Sequence, residues 1–392
     1  MRGARAEATK VVSALVALSA AACASRAPAL RAPQPDSAYS ASLTRGVTHT
    51  YRWYAAGPWA VHTIAIEPNA CVALRTAKAK ESMIGREQTS SLARRNNALV
   101  AINADFFSFE PPGVSEGPQV SRGMLLKSEG AHREALEDRR VRKQAVFAIK
   151  RDGKPAITFT RFAGQVRVGT ATLPLAGVNV PARNDSAFVY TSFWGTATAT
   201  DSAALELVVR NGNIVDVDTA AAGVEIPRDG LVIVIKGATR GAMPLPATGT
   251  AAGWTGGLDG LPEAREVVGG YPMLLQQSNA VHHEEAGLRT TFSDRRHPRA
   301  AIGTDRKGRI YIIAVDGRQP GYSDGMSLQE LGDFLIAHGI TDALNLDGGG
   351  STTLVVGERI VNRPSDANGE RPVSNALLLI SGSGQACRLP PQ

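Results

Sequence analysis

Aromatic residues are scarce in this chain, 5% of 392 residues, while glycines number forty. That balance disfavours a helical bundle and favours short strands joined by many turns. Apart from a short run near the N-terminus, long apolar stretches are missing, and no segment reaches membrane-spanning length. No single block holds the positive charge, although the formal net charge is +7. The stretch "HREALEDRRVRK" (132–143) is mixed in sign, and the densest basic run is "RTTFSDRRHPRAAIGTDRKGR" (289–309). Neither a basic helix nor an aromatic-interleaved RNA signature accompanies it, so the pattern argues against nucleic acid and for an anionic small substrate or polymer. Other absences narrow the chemistry. There is no G-x-S-x-G elbow, no H-E-x-x-H, and no cysteine with a nearby histidine. His282 and His283, followed by two glutamates, lack metal-ligand spacing and read as a solvated loop. No repeat of solenoid period is present.

The N-terminus reads as a targeting segment, residues 1–22. Arg2, Arg5 and Lys10 form a basic region, Val11 to Leu18 an apolar one, and Ala20 to Ala22 a small-residue cleavage site. Cleavage there removes three basic residues and one acid, leaving about +5. Cys23 follows directly, which gives two readings: acylation of Cys23 as a lipid anchor, or plain secretion. Both place the mature protein outside the cytoplasm, periplasmic or extracellular, with the membrane touched only through that anchor. Cys71 and Cys387 remain; they are either bonded, tying the start of the domain to its end, or unpaired.

Residues 23–45 are rich in Ala, Pro and Ser and predict a flexible tether. Residues 46–97 then form the N-terminal part of the domain, 98–382 its main body, and 383–392 a tail. Short apolar segments recur, among them "ALVAIN" (98–103), "AVFAI" (145–149), "LELVV" (205–209), "LVIVI" (231–235), "RIYIIAV" (309–315) and "ALLLI" (376–380). Several are apolar throughout, which predicts cover on both faces. One helix is marked by a capping box, Ser327 to Glu330, an apolar face of Leu328, Leu331, Phe334 and Leu335, and a terminating Gly339. The expected fold is therefore α+β: a strand-dominated mixed sheet with few helices, and a glycine-rich turn at the end of a central strand.

That turn is "NLDGGGSTTLVV" (345–356). Asp347 closes a buried strand, and Gly348, Gly349 and Gly350 bare the backbone, where successive N–H groups can cradle an anion with help from Ser351. The same pattern also reads as an aspartate capping its own turn. A phosphate-loop ATPase is excluded because no lysine follows the glycines and a strand comes next. In "RHPRAAIGTDRKGRIYIIAVDGR", the run "TDRKGR" predicts a hairpin that brings Arg299 to the same sheet edge as Asp316 and Arg318. Guanidiniums at that edge suit a phosphate, or else form a structural Arg–Asp network. "ALVAINADFF" ends on Asn103 and Asp105 with Phe106 and Phe107 behind, an amide, acid and aromatic set suited to a sugar unless the rings are core. "NRPSDANGERPVSNALLLI" re-enters the sheet with Arg371, Ser374 and Asn375.

Five ordered stretches, "AINADFF", "RHPRAAIGTD", "VDGRQPGYSDGMSLQELGDFL", "DALNLDGGGSTTLVV" and "NRPSDANGERPVSNALLL", together resemble the phosphodiester glycosidase family over roughly residues 98–380. The resemblance implies hydrolysis of a sugar-1-phosphodiester at the anomeric C–O bond, with free sugar released and the phosphate left as a monoester on the aglycone. By motif, Asp347 and Asp316 become the candidate catalytic acids. Arg299, Arg318 and Arg371, with Gly348, Gly349, Gly350 and Ser351, become the phosphate side. Asn103, Asp105 and Asn345 are placed to hold the sugar or to position a carboxylate, and Asn375 joins the substrate-binding set. The family often has Thr at Ala300 and Gly at Tyr271, so the sugar preference stays open. The expected partner is a sugar-1-phosphodiester or an anionic envelope glycopolymer, with no cofactor required. Two alternatives stand beside this: a non-catalytic glycopolymer-binding protein, and a phosphodiesterase holding a divalent cation on Asp105, Asp316 and Asp347.

Overall fold

A computed structural model of the chain describes residues 31–382, except 110–112, 129–143, 183–185, 199–203, 220–222 and 283–288. Strands dominate it, and they form four sheets. The largest has eight strands in the order 37–44, 47–54, 59–66, 310–315, 299–304, 342–346, 273–276, 279–280. All of its neighbouring strands run antiparallel. Arg299 pairs with Val315, as the expected hairpin requires. Every residue of Arg299–Thr304 and Ile310–Val315 is buried. Such strands need cover on both faces, and the two covers are different.

On one face lies the helix Leu328–Ala337. Its capping box is complete: the Glu330 N–H donates to Ser327 Oγ at 3.1 Å, and the Ser327 N–H donates to Glu330 Oε2 at 2.9 Å. Gly339 follows with φ +79°, a conformation glycine adopts freely. Leu328, Leu331, Phe334 and Leu335 are buried against Val61, Ile313, Ala301 and Ala343. Burying such side chains stabilises by roughly 1.5–3 kcal/mol each. The other face packs Ile64, Ile302, Ile312 and Leu344 onto a five-stranded sheet, through Val100, Ile102, Leu354, Leu377 and Leu379. That sheet runs in the order 359–360, 354–356, 98–103, 375–381, 72–78. A further five-stranded sheet contains Gln144–Ile149 and Glu266–Gly269. The fourth has seven strands and pairs Leu205–Arg210 with Gly230–Ile235. Its strand Ala171–Val178 runs parallel to Ala187–Thr191, which makes this sheet mixed.

The boundary of the tether needs correction. Ser37–Thr44 form an edge strand paired with Val47–Tyr54, so extended pairing begins before residue 45. Cross-strand pairing along this stretch, including Tyr39 stacked on Tyr51, outweighs the Ala/Ser composition there. Cys71 is disulfide-bonded; the other two cysteines lie outside the described residues, as do the targeting segment, the 132–143 run, His283 and the tail. Among the described residues no helix is long and apolar enough to cross a membrane.

Candidate functional site

Strand ends assemble the site. Asp347 leaves the interior strand Asp342–Leu346, and Asp316 leaves the strand two places away in the same sheet. Asp105 leaves Ala98–Asn103, whose neighbour begins at Asn375. Cross-links between the sheets hold these ends together. The Asp347 N–H donates to Ala104 O at 2.8 Å, and Asn103 Nδ2 donates to Asp347 O at 2.6 Å.

The predicted residues separate into two layers. Asn103, Asp105, Arg299, Asp316, Asn345, Gly350, Ser351 and Asn375 are all buried. Asp347, Gly348, Gly349 and Arg371 are partly open, and Arg318 is exposed.

The buried layer is occupied with support. Arg299 is 1% exposed; it donates to the carbonyls of Met326 (2.8 Å), Phe292 (2.8 Å) and Arg295 (3.1 Å). Burial, followed by the charge of Arg318, pushes its pKa down to about 10. A guanidinium spent on carbonyls behind the surface does not face a phosphate, which corrects the expectation for Arg299. Asp316 is fully buried. Its Oδ1 accepts from Arg363 N (2.8 Å) and Asn362 Nδ2 (3.1 Å), and its Oδ2 accepts from the Tyr322 hydroxyl (3.1 Å). Burial raises its pKa to about 6 against these hydrogen bonds. It pins the 362–363 loop and Tyr322, and nothing of it is open to a substrate. Asp105 accepts from the Gly117 N–H at 2.6 Å, while Asn375 Oδ1 accepts from the Asp105 N–H at 2.9 Å. Asn345 Nδ2 donates to Tyr271 O at 2.7 Å.

Part of the turn's backbone is engaged within the protein. The Gly349 N–H donates to Pro298 O, and those of Ser351 and Thr352 close the turn onto Gly348 and Gly349. The glycines also provide close approach. A Cβ on Gly349, which has φ +59°, would stand 2.9 Å from Arg318 Nη2. One on Gly350 would stand 2.0 Å from Asp366 Oδ1 and 2.2 Å from Arg371 Nη2, and one on Gly348 2.7 Å from Pro298 O. Removing Cβ thus lets two guanidiniums press against the turn.

In the open layer, Arg371 makes a bidentate pair with Asp366 (Nε–Oδ2 2.8 Å, Nη2–Oδ1 3.0 Å) and reaches Ser351 Oγ at 3.4 Å. Ser351 in turn is hydrogen-bonded to the Asp347 carboxyl. Arg318 Nη2 lies 3.4 Å from His297 Nδ1. His297 is held below its usual pKa by burial first, then by the charges of Arg299, Arg318 and Arg295, against one bond to Thr291 O. Asp347 has its pKa pushed up to about 7. Burial is the main cause, and the Glu116 charge adds to it. The Ser351 bond, the Arg371 charge and the Gly348 N–H oppose it.

Sequence reading missed Glu116, Asp366, Tyr322, Asn362 and Phe292. Glu116 sits in a polar loop between the quoted stretches with no motif of its own; Asp366 lies inside the stretch "NRPSDANGERPVSNALLL", where Arg371 drew the attention. Phe106 is half-buried, whereas Phe107 is core. Among the described residues no three His, Cys, Asp or Glu side chains gather to hold one ion, and Asp105, Asp316 and Asp347 are no exception. A concavity of about 630 Å³ lined by Arg75, Lys78, Arg122 and Phe193 opens elsewhere and shares no residue with the site.

Residues 194–380 match the family model described as phosphodiester glycosidase. "AINADFF" lies upstream of the matched residues. Over 91 residues the chain is 35% identical to N-acetylglucosamine-1-phosphodiester alpha-N-acetylglucosaminidase from Bos taurus, covering 23% of this chain and 17% of that protein. The matched stretch thus spans about a sixth of the length of that relative. Among solved structures, a hypothetical protein from Synechocystis superposes with a TM-score of 0.74 at 25% identity, covering 88% of this chain and 64% of the other. A protein from Burkholderia pseudomallei K96243 gives 0.68 at 27% identity, covering 83% and 74%.

Proposed function

We propose, from the likeness of residues 194–380 to the phosphodiester glycosidases and from the surroundings of Asp347, that this chain hydrolyses a sugar-1-phosphodiester at the anomeric C–O bond. The observation that carries the reading is the place of Asp347: it follows a buried strand into a partly open glycine turn, with Ser351 and Arg371 linked beside it, and burial pushes its carboxyl up to about 7. A group poised near neutrality suits proton transfer. In the proposed step, water adds its oxygen to C1 and gives a proton to the Asp347 carboxylate. The C1–O bond breaks and its electron pair leaves with the phosphate, as a monoester of the aglycone. A phosphate is already a fair leaving group, so one carboxylate suffices at C1. The charge that develops on the phosphate is met by Arg318 and Arg371. Asp316 acts through Asn362, Arg363 and Tyr322 as a positioning residue.

The natural substrate in this reading is an envelope glycopolymer or its fragments, reached by export through residues 1–22, with or without a lipid anchor at Cys23. No metal is assigned to the step. The test is to incubate the purified protein, with and without EDTA, with the methyl diester of N-acetylglucosamine-1-phosphate and to separate free sugar from sugar-1-phosphate. Free sugar from wild type, unchanged by EDTA and lost in Asp347→Asn by at least about 100-fold, is the expected result. Sugar-1-phosphate as product moves the scissile bond to phosphorus and overturns the reading.

A further inference from the structure

Three aromatic side chains from distant parts of the chain take no part in that step, yet they pack on one another and their backbones bond to residues around the site. Phe106 follows the strand Ala98–Asn103, Tyr271 precedes Met273–Gln276, and Phe292 lies in the short helix Thr290–Ser293. The Tyr271 and Phe292 rings are nearly parallel, at 19° with centroids 6.4 Å apart. Phe106 meets Phe292 edge-on, at 69° and 5.9 Å. All three are half-buried, so each keeps part of its ring at the surface.

Each is also fixed by its own backbone to a residue of the site. The Tyr271 N–H donates to Asn345 O at 2.8 Å, and its carbonyl accepts from Asn345 Nδ2, two residues before Asp347. The Phe106 carbonyl accepts from the Glu116 N–H at 2.8 Å. The Phe292 carbonyl accepts from Arg299, whose guanidinium carbon also lies 5.2 Å from the centre of the Phe292 ring. Three rings packed only for stability would be sunk in the core, as Phe107 is at 5% exposure. These keep part of each ring open, while the Asn345 and Arg299 side chains hold the backbones of Tyr271 and Phe292.

A pyranose ring offers a patch of polarised C–H bonds that packs on an aromatic face, while its hydroxyls stay in reach of polar groups. We propose that Tyr271, Phe292 and Phe106 form a stacking wall that receives the pyranose ring of the glycosyl group, with Tyr271 and Phe292 supplying the faces and Phe106 bracing Phe292. The placement of this ring next to the scissile bond rests on the glycosidase reading; its binding does not.

The test combines two readouts on the full chain, for wild type, Tyr271→Ala, Tyr271→Phe and Phe292→Ala. Calorimetric titration with free N-acetylglucosamine reports sugar binding without turnover. Kinetics on the methyl diester, whose aglycone is too small to stack, report KM and kcat separately. Tyr271→Ala and Phe292→Ala should weaken sugar binding and raise KM on the order of fivefold each, with kcat within about threefold, and Tyr271→Phe should behave as wild type. Thermal melts control for misfolding, Tyr271→Ala being the variant that leaves the Arg299 contacts intact. If wild type cleaves nothing but binds sugar and both alanine variants lose it, the wall stands and the glycosidase reading falls. Unchanged sugar affinity and KM in both folded alanine variants overturns the wall. So does a loss seen only with a diester bearing a bulky aromatic aglycone, which would assign the rings to the other side of the phosphate.

Discussion

Asp347 sits where burial and charge oppose one another, and its raised pKa has consequences of opposite sign for activity and stability. As the base in the proposed step it works ionised, so kcat/KM should rise with pH through an apparent value near 7 and level off above it. A profile that falls over that range would make Asp347 an acid instead. For stability the sign runs the other way. An unfolded aspartate ionises near 3.8, whereas the folded one holds its proton to about 7. Its contribution to stability is therefore intact below about pH 4 and is lost as pH rises through 7. The loss has an upper bound of about 4 kcal/mol. Asparagine keeps the shape and never ionises. Asp347→Asn should then be inactive yet melt higher than wild type at pH 8, with the difference closing towards pH 4. Asp316, also raised, is present in both proteins and cancels from the comparison. Equal melting temperatures at both pH values would show that Asp347 is not strained by ionisation.

At the scale of the element, the glycine turn joins the strand that ends before Asp347 to Arg318 and Arg371. Gly350 lies under the Arg371–Asp366 pair so closely that one methyl group would force both side chains aside. Gly350→Ala should break that pair, cost about 1–3 kcal/mol and lower kcat/KM at least tenfold, as read by melting and by diester kinetics. Wild-type kcat/KM in a folded Gly350→Ala protein would remove Arg371 from the phosphate side. The sequence carried part of this element plainly. The strand on Asp347, the hairpin pairing of Arg299 with Val315, and the Ser327–Glu330 cap are set by local pattern, and each appears in the structure. What the glycines are for was not legible. It depends on Arg318, Asp366 and Arg371, and local periodicity says nothing about which side chain a tertiary fold presses onto a bare backbone. Arg299 shows the same limit: its type suits a phosphate, but only the arrangement of the Phe292, Arg295 and Met326 carbonyls reveals where its donors go.

For the whole molecule, the sheets tie distant parts of the chain into one site, which makes the family-matched segment incomplete by itself. In the eight-stranded sheet, Ile310–Val315 pairs on one side with Arg299–Thr304 and on the other with Trp59–Ile66. In the facing five-stranded sheet, Ala98–Asn103 is the central strand, paired with both Leu354–Val356 and Asn375–Ser381. Each missing strand would leave a buried ladder without partners, and each exposed backbone group would add its own desolvation cost. The core between the two sheets would also lose Ile64, Val100 and Ile102. A fragment limited to residues 194–380 should therefore show no cooperative thermal transition, and it should lack the Asn103 bond that holds Asp347 in place. Adding residues 46–193 as a separate polypeptide should restore both a transition and diester hydrolysis if the strands can pair in trans. A fragment that melts cooperatively by itself would mean that the N-terminal strands only cover the fold. In that case the upstream "AINADFF" stretch would be dispensable for Asp347, and the stacking role of Phe106 would have to be carried by Tyr271 and Phe292 alone.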